Sequence, residues 1–495
     1  MYSMADKYLS QVLVIATTAI MARILTPAET GLYLTANAIV LLADNFRLYG
    51  VGIYIVQQHK IDQAILRSAF TVTLILSIGC SALILIGSGY LSAFYGTPQL
   101  RNLFAVAAIG FLLVPFSSPI IALLQRDLAF KVLACINIAA GLVGFALTIV
   151  LGKAGVGPVS YMWGALGTNA VVLFLALLVR PQFGIFRPSF VRAPGLLSFG
   201  MWSSLITVSN QAYDLFPRLA FGKMLGFADV GLFSRASVIS QLPDRVFSSA
   251  LQPVVLPVLA AHIRAGGSAK EIYLRGVHLM SAVQWPALIL VILLADPIVH
   301  VLLGPQWGAA PPLVRIMALA NMALVPGFMT FPVLVAAGRI RDALYSSVIS
   351  LPPSFIIVVG AAFFGVQAAA LSLLVVAPLQ MAVAYTFIRR AIDLPAGELF
   401  RSFRDGAMLT LGAALVPSLI VLLIANGFAL TWVQTVACIV GSAVGWLVTL
   451  QLTKHPLRNE MMTIRSALPR RISDFRVYLA TRRDAGTAKT AGNPP

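Results

Sequence analysis

Fourteen apolar runs, each close to 20 residues or longer, set the first limit on what this chain can fold into. They lie at about 8–24, 32–56, 69–91, 102–124, 132–152, 157–179, 197–220, 230–257, 277–302, 312–336, 343–364, 366–388, 406–426 and 430–452. A run of about 20 apolar residues crosses the hydrocarbon of a bilayer as a helix. Backbone groups in lipid must be paired within the segment, and runs of this length are too long for barrel strands. The expected fold class is therefore all-α integral membrane, with about 14 transmembrane helices. Composition agrees: 59% of the 495 residues are hydrophobic and 11% charged, against about a quarter charged in soluble domains.

The runs are organised by an internal repeat. Leu25, Ala28, Gly31, Leu32, Ile39, Leu42 and Asp44 recur 200 residues later as Leu225, Ala228, Gly231, Leu232, Ile239, Leu242 and Asp244. Further on, Leu66-Arg67 meets Leu274-Arg275 at an offset of 208, Leu113-Val114-Pro115 meets Leu324-Val325-Pro326 at 211, and Arg126 meets Arg339 at 213. Each copy holds six spans, an even number, so both copies have the same orientation and form two six-helix parallel-repeat bundles. The expected divisions are 1–185 for the first half, 196–390 for the second, 401–453 for two extra C-terminal spans, and 454–495 for a basic tail. The first run is short enough to resemble a signal peptide. Gln11 falls opposite Gln211 in the repeat, so it is assigned to the first half.

Basic residues orient the chain. With a cytoplasmic N-terminus, 26 of the 35 Lys and Arg fall on the cytoplasmic side and five on the other, which places both termini in the cytoplasm. The remaining four, Arg47, Arg218, Arg235 and Arg245, fall inside spans. The net charge of +18 is then explained by a basic face against anionic lipid, and nucleic acid is not an expected partner. Cys80, Cys135 and Cys438 lie in apolar runs and read as small hydrophobes. The five His form no cluster with carboxylates that suggests metal or catalysis. Part of the tail, Leu457 to Arg483, interleaves apolar residues with Arg in the manner of an interfacial helix.

Polar groups inside the spans locate the function, because they are expensive in lipid and usually face a cavity. In the seventh span Ser203, Thr207, Asn210, Asp214 and Arg218 share an arc of about 80°. In the eighth, Ser234, Ser237, Gln241, Asp244, Arg245, Ser248 and Gln252 share about 100°. Asn37, Asp44 and Arg47 occupy one side of the second span, and Gln11 and Thr18 a face of the first. These four spans are repeat equivalents, one with seven and two with eight. They predict a water-filled cavity with Arg47, Arg218, Arg235, Arg245, Gln11, Asn37, Asn210 and Gln241 as substrate-binding candidates. Two explanations stand side by side. Asp214 and Arg218 at i, i+4, and Asp44 and Arg47 at i, i+3, are placed to neutralise each other. Alternatively the Arg cluster receives an anionic group such as a phosphate or pyrophosphate through its planar fork. Arg235 has no acidic residue at helical spacing and favours the second.

The stretch Ala22-Arg23-Ile24-Leu25-Thr26-Pro27-Ala28-Glu29-Thr30-Gly31-Leu32 resembles the first-loop signature of the polysaccharide transporters, the Wzx-type flippases of the MATE-like superfamily. Phe46 to Gln58, Leu123-Leu124-Gln125-Arg126-Asp127-Leu128 and Leu303-Gly304-Pro305-Gln306-Trp307 resemble later landmarks, so the likeness covers about residues 4–450. It implies two six-helix bundles in a V around a central cavity. It implies an undecaprenyl-pyrophosphate-linked oligosaccharide as substrate, moved from the cytoplasmic to the periplasmic leaflet of the inner membrane for exopolysaccharide, capsule or O-antigen assembly. Membrane lipids, a polysaccharide polymerase and chain-length machinery are the implied partners. No enzyme activity and no cofactor is expected, and no phosphate-cradling G-x-x-x-x-G-K-[ST] is present. Asp44, Asp214 or Asp244 would couple proton or sodium entry. The alternatives are a MATE-type cation or drug antiporter, a peptidoglycan-precursor flippase and, from a different class, a membrane polysaccharide polymerase or ligase. A drug cavity should be acidic and a polymerase should carry a substantial far-side loop, and the sequence favours neither.

Overall fold

The structure, a computed structural model, describes residues 2–48, 51–58, 61–425, 427–453 and 457. Only the backbone is described for 2–7, 47–48, 53, 57, 198–210, 212–214, 248–254 and 340. Among the described residues the chain forms eighteen α-helices and no strand. Ten helical stretches, from Gln63–Tyr95 to Trp432–Leu452, are long and apolar enough to cross a membrane. The protein is thus an all-α, multi-span membrane protein. Two compact units emerge, Met1–Gln241 with Ala295–Ala320 and Ser347–Gln380, and Leu242–Leu294 with Asn321–Ser346 and Met381–Pro495.

The helices are α1 Tyr2–Ile24, α2 Pro27–Leu48, α3 Val51–Gln57, α4 Gln63–Tyr95, α5 Gln99–Arg126, α6 Phe130–Lys153, α7 Val159–Val179, α8 Ala193–Met224, α9 Phe227–Ser240, α10 Leu242–Arg264 and α11 Ala269–Leu293. They continue as α12 Ala295–Leu302, α13 Ala310–Leu324, α14 Thr330–Ala336, α15 Ile340–Ala362, α16 Val366–Ile392, α17 Ala396–Leu419 and α18 Trp432–Leu452. Several predicted spans are broken helices. The eighth divides at Gln241 into α9 and α10, with Pro243 in the first turn of α10, where a missing N–H does no harm. The ninth divides at Leu294, and the tenth carries a 3₁₀ turn, Val325–Met329, that contains Pro326.

In the larger unit, helix ends are fixed by local chemistry. Asp62 caps α4 by accepting from Ile65 N at 2.7 Å, and Gly96 ends it in the left-handed region at φ 68°. Phe104, Leu100, Leu103 and Met162 form a buried core with Leu32 and Ala36 of α2. Small residues bring helices close, as expected where lipid gives no hydrophobic drive to association. A Cβ on Gly144 would stand 2.0 Å from Thr168 Oγ1, and one on Gly164 would stand 1.9 Å from Thr148 Oγ1, so α6 and α7 interlock reciprocally. The loop between α7 and α8 packs back on α4: Ile185 is buried, Arg67 Nε donates to Gly184 O at 3.0 Å, and Ser189 N to Thr71 Oγ1 at 2.8 Å.

The smaller unit has its own core around Tyr273, Val277, Val333 and Ile388. Tyr273 donates its hydroxyl to Pro326 O at 3.1 Å, and Trp285 Nε1 donates to Met322 O at 3.0 Å. The two C-terminal helices belong to this unit. Gly412 and Gly445 let α17 and α18 meet backbone to backbone, and Trp446 Nε1 ties α18 to Ala282 O of α11 at 2.8 Å.

Candidate functional site

In the larger unit α2 and α9 come together through the paired glycines of the repeat. A Cβ on Gly31 would lie 1.7 Å from the Phe227 carbonyl oxygen, and one on Gly231 would lie 2.2 Å from that of Pro27. Only two hydrogens fit there. Two and four residues beyond these glycines stand Tyr33 and Arg235. The same close approach therefore brings a tyrosine of the first copy and an arginine of the second into one buried neighbourhood.

Arg235 is 7% exposed. Its Nη2 lies 3.3 Å from the Tyr161 hydroxyl at the start of α7, its Nε has no hydrogen-bond partner, and no carboxylate among the described residues pairs with it. The Tyr161 ring stacks on Tyr33, with centroids 4.1 Å apart and planes 12° from parallel. Arg218, half-buried on α8, joins Arg235 in acting electrostatically on the Tyr33 phenol. The buried hydroxyls of Thr30, Thr35 and Ser234 also have no hydrogen-bond partner. A cation taken out of water without a counter-ion is costly, and an anion that reaches it removes that cost. Guanidinium is suited to phosphate oxygens, which accept its parallel N–H groups in pairs.

A second group of contacts ties the end of α1 to the turn after α12. Trp307 Nε1 donates to Ala22 O at 2.8 Å, Gln306 Nε2 to Leu25 O at 2.8 Å and also to Ala22 O, and Arg23 donates to Val301 O at 2.6 Å. These are the carbonyls that a helix C-terminus leaves unpaired. Two of the sequence landmarks, Ala22–Leu32 and Leu303–Trp307, thus dock on each other.

Comparison with known proteins decides the family. A family described as polysaccharide biosynthesis protein matches residues 20–312, more than half of the chain. The chain belongs to it. Among curated relatives of this polysaccharide biosynthesis protein, the lipopolysaccharide biosynthesis protein WzxC of Escherichia coli is 21% identical over 65% of this chain and 66% of its own length. The succinoglycan biosynthesis transport protein ExoT of Rhizobium meliloti is 25% identical over 65% of each. The chain thus spans slightly less than two thirds of the length of these relatives. Among solved structures, the lipid II flippase MurJ in an inward closed conformation superposes with a TM-score of 0.73 at 11% identity, covering 92% of this chain and 99% of that one. An inward-facing multidrug MATE transporter of the MOP superfamily gives 0.62 at 17% identity over 78% and 94%. The fold is that of the MATE and MurJ proteins. The protein is therefore a multi-span membrane protein of the polysaccharide biosynthesis family with that fold.

Within this polysaccharide biosynthesis protein the predicted site residues divide. Arg235 and Arg218 lie in the larger unit near Tyr33, and Asn37 is half-buried on α2. Gln241 Nε2 donates to Ser237 Oγ at 3.2 Å, and Gln11 is exposed on α1. Asp44 is half-buried on α2, and its neighbour Asn45 bridges α2 to α8 by donating to Gln211 Oε1 at 2.7 Å. Asp244 and Arg245 belong to the smaller unit, where Asp244 accepts from Gln284 Nε2 at 3.1 Å. The side chains of Arg47, Asn210 and Asp214 lie outside the described residues. Sequence reasoning missed Tyr33 and Tyr161, whose only signal was a hydroxyl inside or at the edge of an apolar run.

Proposed function

We propose that the chain is a flippase that moves a polyprenyl-pyrophosphate-linked oligosaccharide across the inner membrane by alternating access. The pyrophosphate meets Arg235, with Arg218 beside it, while the polyprenyl tail stays in lipid. The observation that carries this reading is a guanidinium buried at 7% exposure with no carboxylate partner among the described residues. Family membership and the names of the relatives support a saccharide cargo over a cationic drug, for which an unpaired arginine is the wrong charge. The substrate enters from the side that the distribution of basic residues assigns to the cytoplasm and leaves on the other. The remaining polar candidates, Gln11, Asn37, Asn210, Gln241, Arg47 and Arg245, would contact headgroup or sugars. Asp44, Asp214 or Asp244 would couple a proton or sodium gradient, by analogy with antiporters. Polymerase and chain-length machinery would receive the product.

In a deletion strain, lipid-linked oligosaccharide is expected to accumulate on the cytoplasmic leaflet. Complementation with Arg235→Ala should reproduce the accumulation and Arg235→Lys should relieve it partly, since charge is kept and the planar fork lost. Full rescue by Arg235→Ala would remove the headgroup assignment. Normal lipid-linked sugar with altered drug sensitivity would replace the reading by antiport.

A further inference from the structure

The two repeat copies place a cleft at equivalent ends, and the two clefts differ in charge. In the first copy a cleft of about 470 Å³ lies between the start of α4 and the end of α7. Its charges are matched: Arg180 pairs with Asp127 at 2.5 Å, and Asp62 caps α4 and lies 3.8 Å from Arg192. In the second copy a cleft of about 650 Å³ lies between the start of α11, the end of α16 and the start of α17. Lys270 stands there at the repeat position of Asp62, 208 residues on, so the sign is reversed.

Arg389 and Arg390 line this second cleft, both exposed and neither with an ion-pair partner among the described residues. Lys270 is held at 2.7 Å by Glu398, and Asp393 turns the chain in the left-handed region at φ 48°. The wall is firm: Leu394 is fully buried and its carbonyl accepts from Tyr385 Oη at 3.0 Å. Pro395 on the wall is the N-cap of α17 and supplies no side-chain cap, so the positive end of a 24-residue helix also opens here. Beside the cleft, α17 presents an exposed apolar stripe of Phe400, Leu411 and Leu415. The cleft and the start of α17 lie on the side that the basic residues assign to the cytoplasm, and the stripe runs from there into the span.

We propose that this cleft binds the phosphate of an anionic phospholipid of the inner leaflet, with an acyl chain along the α17 stripe. Two unpaired arginines supply the attraction, a basic pocket at the headgroup level supplies the place, and the adjoining apolar helix selects a lipid over a soluble phosphate. The site is separate from Arg235 and is tested without transport.

The test is native mass spectrometry of the full-length protein offered equal phosphatidylglycerol and phosphatidylcholine, with monodispersity checked for each variant. The wild type should retain phosphatidylglycerol preferentially, by about thirtyfold for two arginines near the surface. Arg389→Gln with Arg390→Gln should abolish the preference, Arg389→Lys with Arg390→Lys should keep most of it, and Arg180→Gln in the first copy should leave it intact. An unchanged preference in the double Gln variant would overturn the assignment. So would an equal loss with Arg180→Gln, which would mean surface charge in general. Displacement of the lipid by inorganic phosphate at low concentration would make the cleft a free-phosphate site and overturn the lipid assignment.

Discussion

At the residue scale the informative group is Tyr161. Its hydroxyl is the hydrogen-bond partner of a buried cation, so Tyr161→Phe leaves Arg235 further unsatisfied while keeping the ring stacked on Tyr33. The expected loss of stability is about 1–3 kcal/mol, read as a lower midpoint in thermal unfolding of the purified protein. Added pyrophosphate should raise that midpoint in wild type and in Tyr161→Phe, and should fail to raise it in Arg235→Ala. Arg235 was legible in the sequence because charge inside an apolar run stands out and no acid sits at helical spacing. Its tyrosine partners were not. A tyrosine reads as another apolar residue until the fold shows what its hydroxyl touches, and Tyr33 and Tyr161 are brought together from 128 residues apart by packing alone.

At the scale of elements, hydropathy gives the helical class, but of about fourteen expected spans ten described helical stretches are long and apolar enough to cross a membrane, and the interruptions were poorly legible. The stretch 230–257 reads as one span in the sequence, yet α9 ends at Ser240 and α10 starts at Leu242. Pro243 marks the place, but Pro115 and Pro119 sit inside α5 without ending it, so proline alone does not decide where a helix stops. Likewise Trp307 reads as a loop aromatic in sequence, whereas the structure buries it completely and uses its N–H to cap α1. Trp307→Phe keeps most of the packing and removes that donor. A loss of about 1 kcal/mol is expected, and unfolding of the variant against wild type measures it. Gly31→Ala should cost more, about 1–3 kcal/mol by overpacking, because the atom in the way is a backbone carbonyl that no rotamer change can move. Gly79→Ala, with nothing within 4 Å of the new carbon, is the matched control and should be neutral or slightly stabilising.

For the whole molecule, the all-α multi-span class followed from the apolar runs, and the family from landmarks spread along the chain. The orientation rests on basic residues, so it belongs among the predictions. With Cys80, Cys135 and Cys438 replaced, a cysteine at Ser189 should react with an impermeant thiol reagent only from the cytoplasmic side, and one at Gly308 only from the opposite side. Labelling in the reverse sense would invert the proposed direction of transport. The physical extent of the site was the least legible property at this scale, because a helical-face argument assigns a direction to each side chain but not its neighbours. Arg218 and Arg235 belong to one compact unit, while Asp244 and Arg245, on the same predicted face as Arg235, belong to the other.

The paired glycines carry one more consequence. Where Gly31 crosses Gly231, the seam between α2 and α9 is made of two backbones, so no rotamer change there can make room for a side chain. A single added methyl at either glycine therefore acts as a wedge that neither neighbour can swing aside.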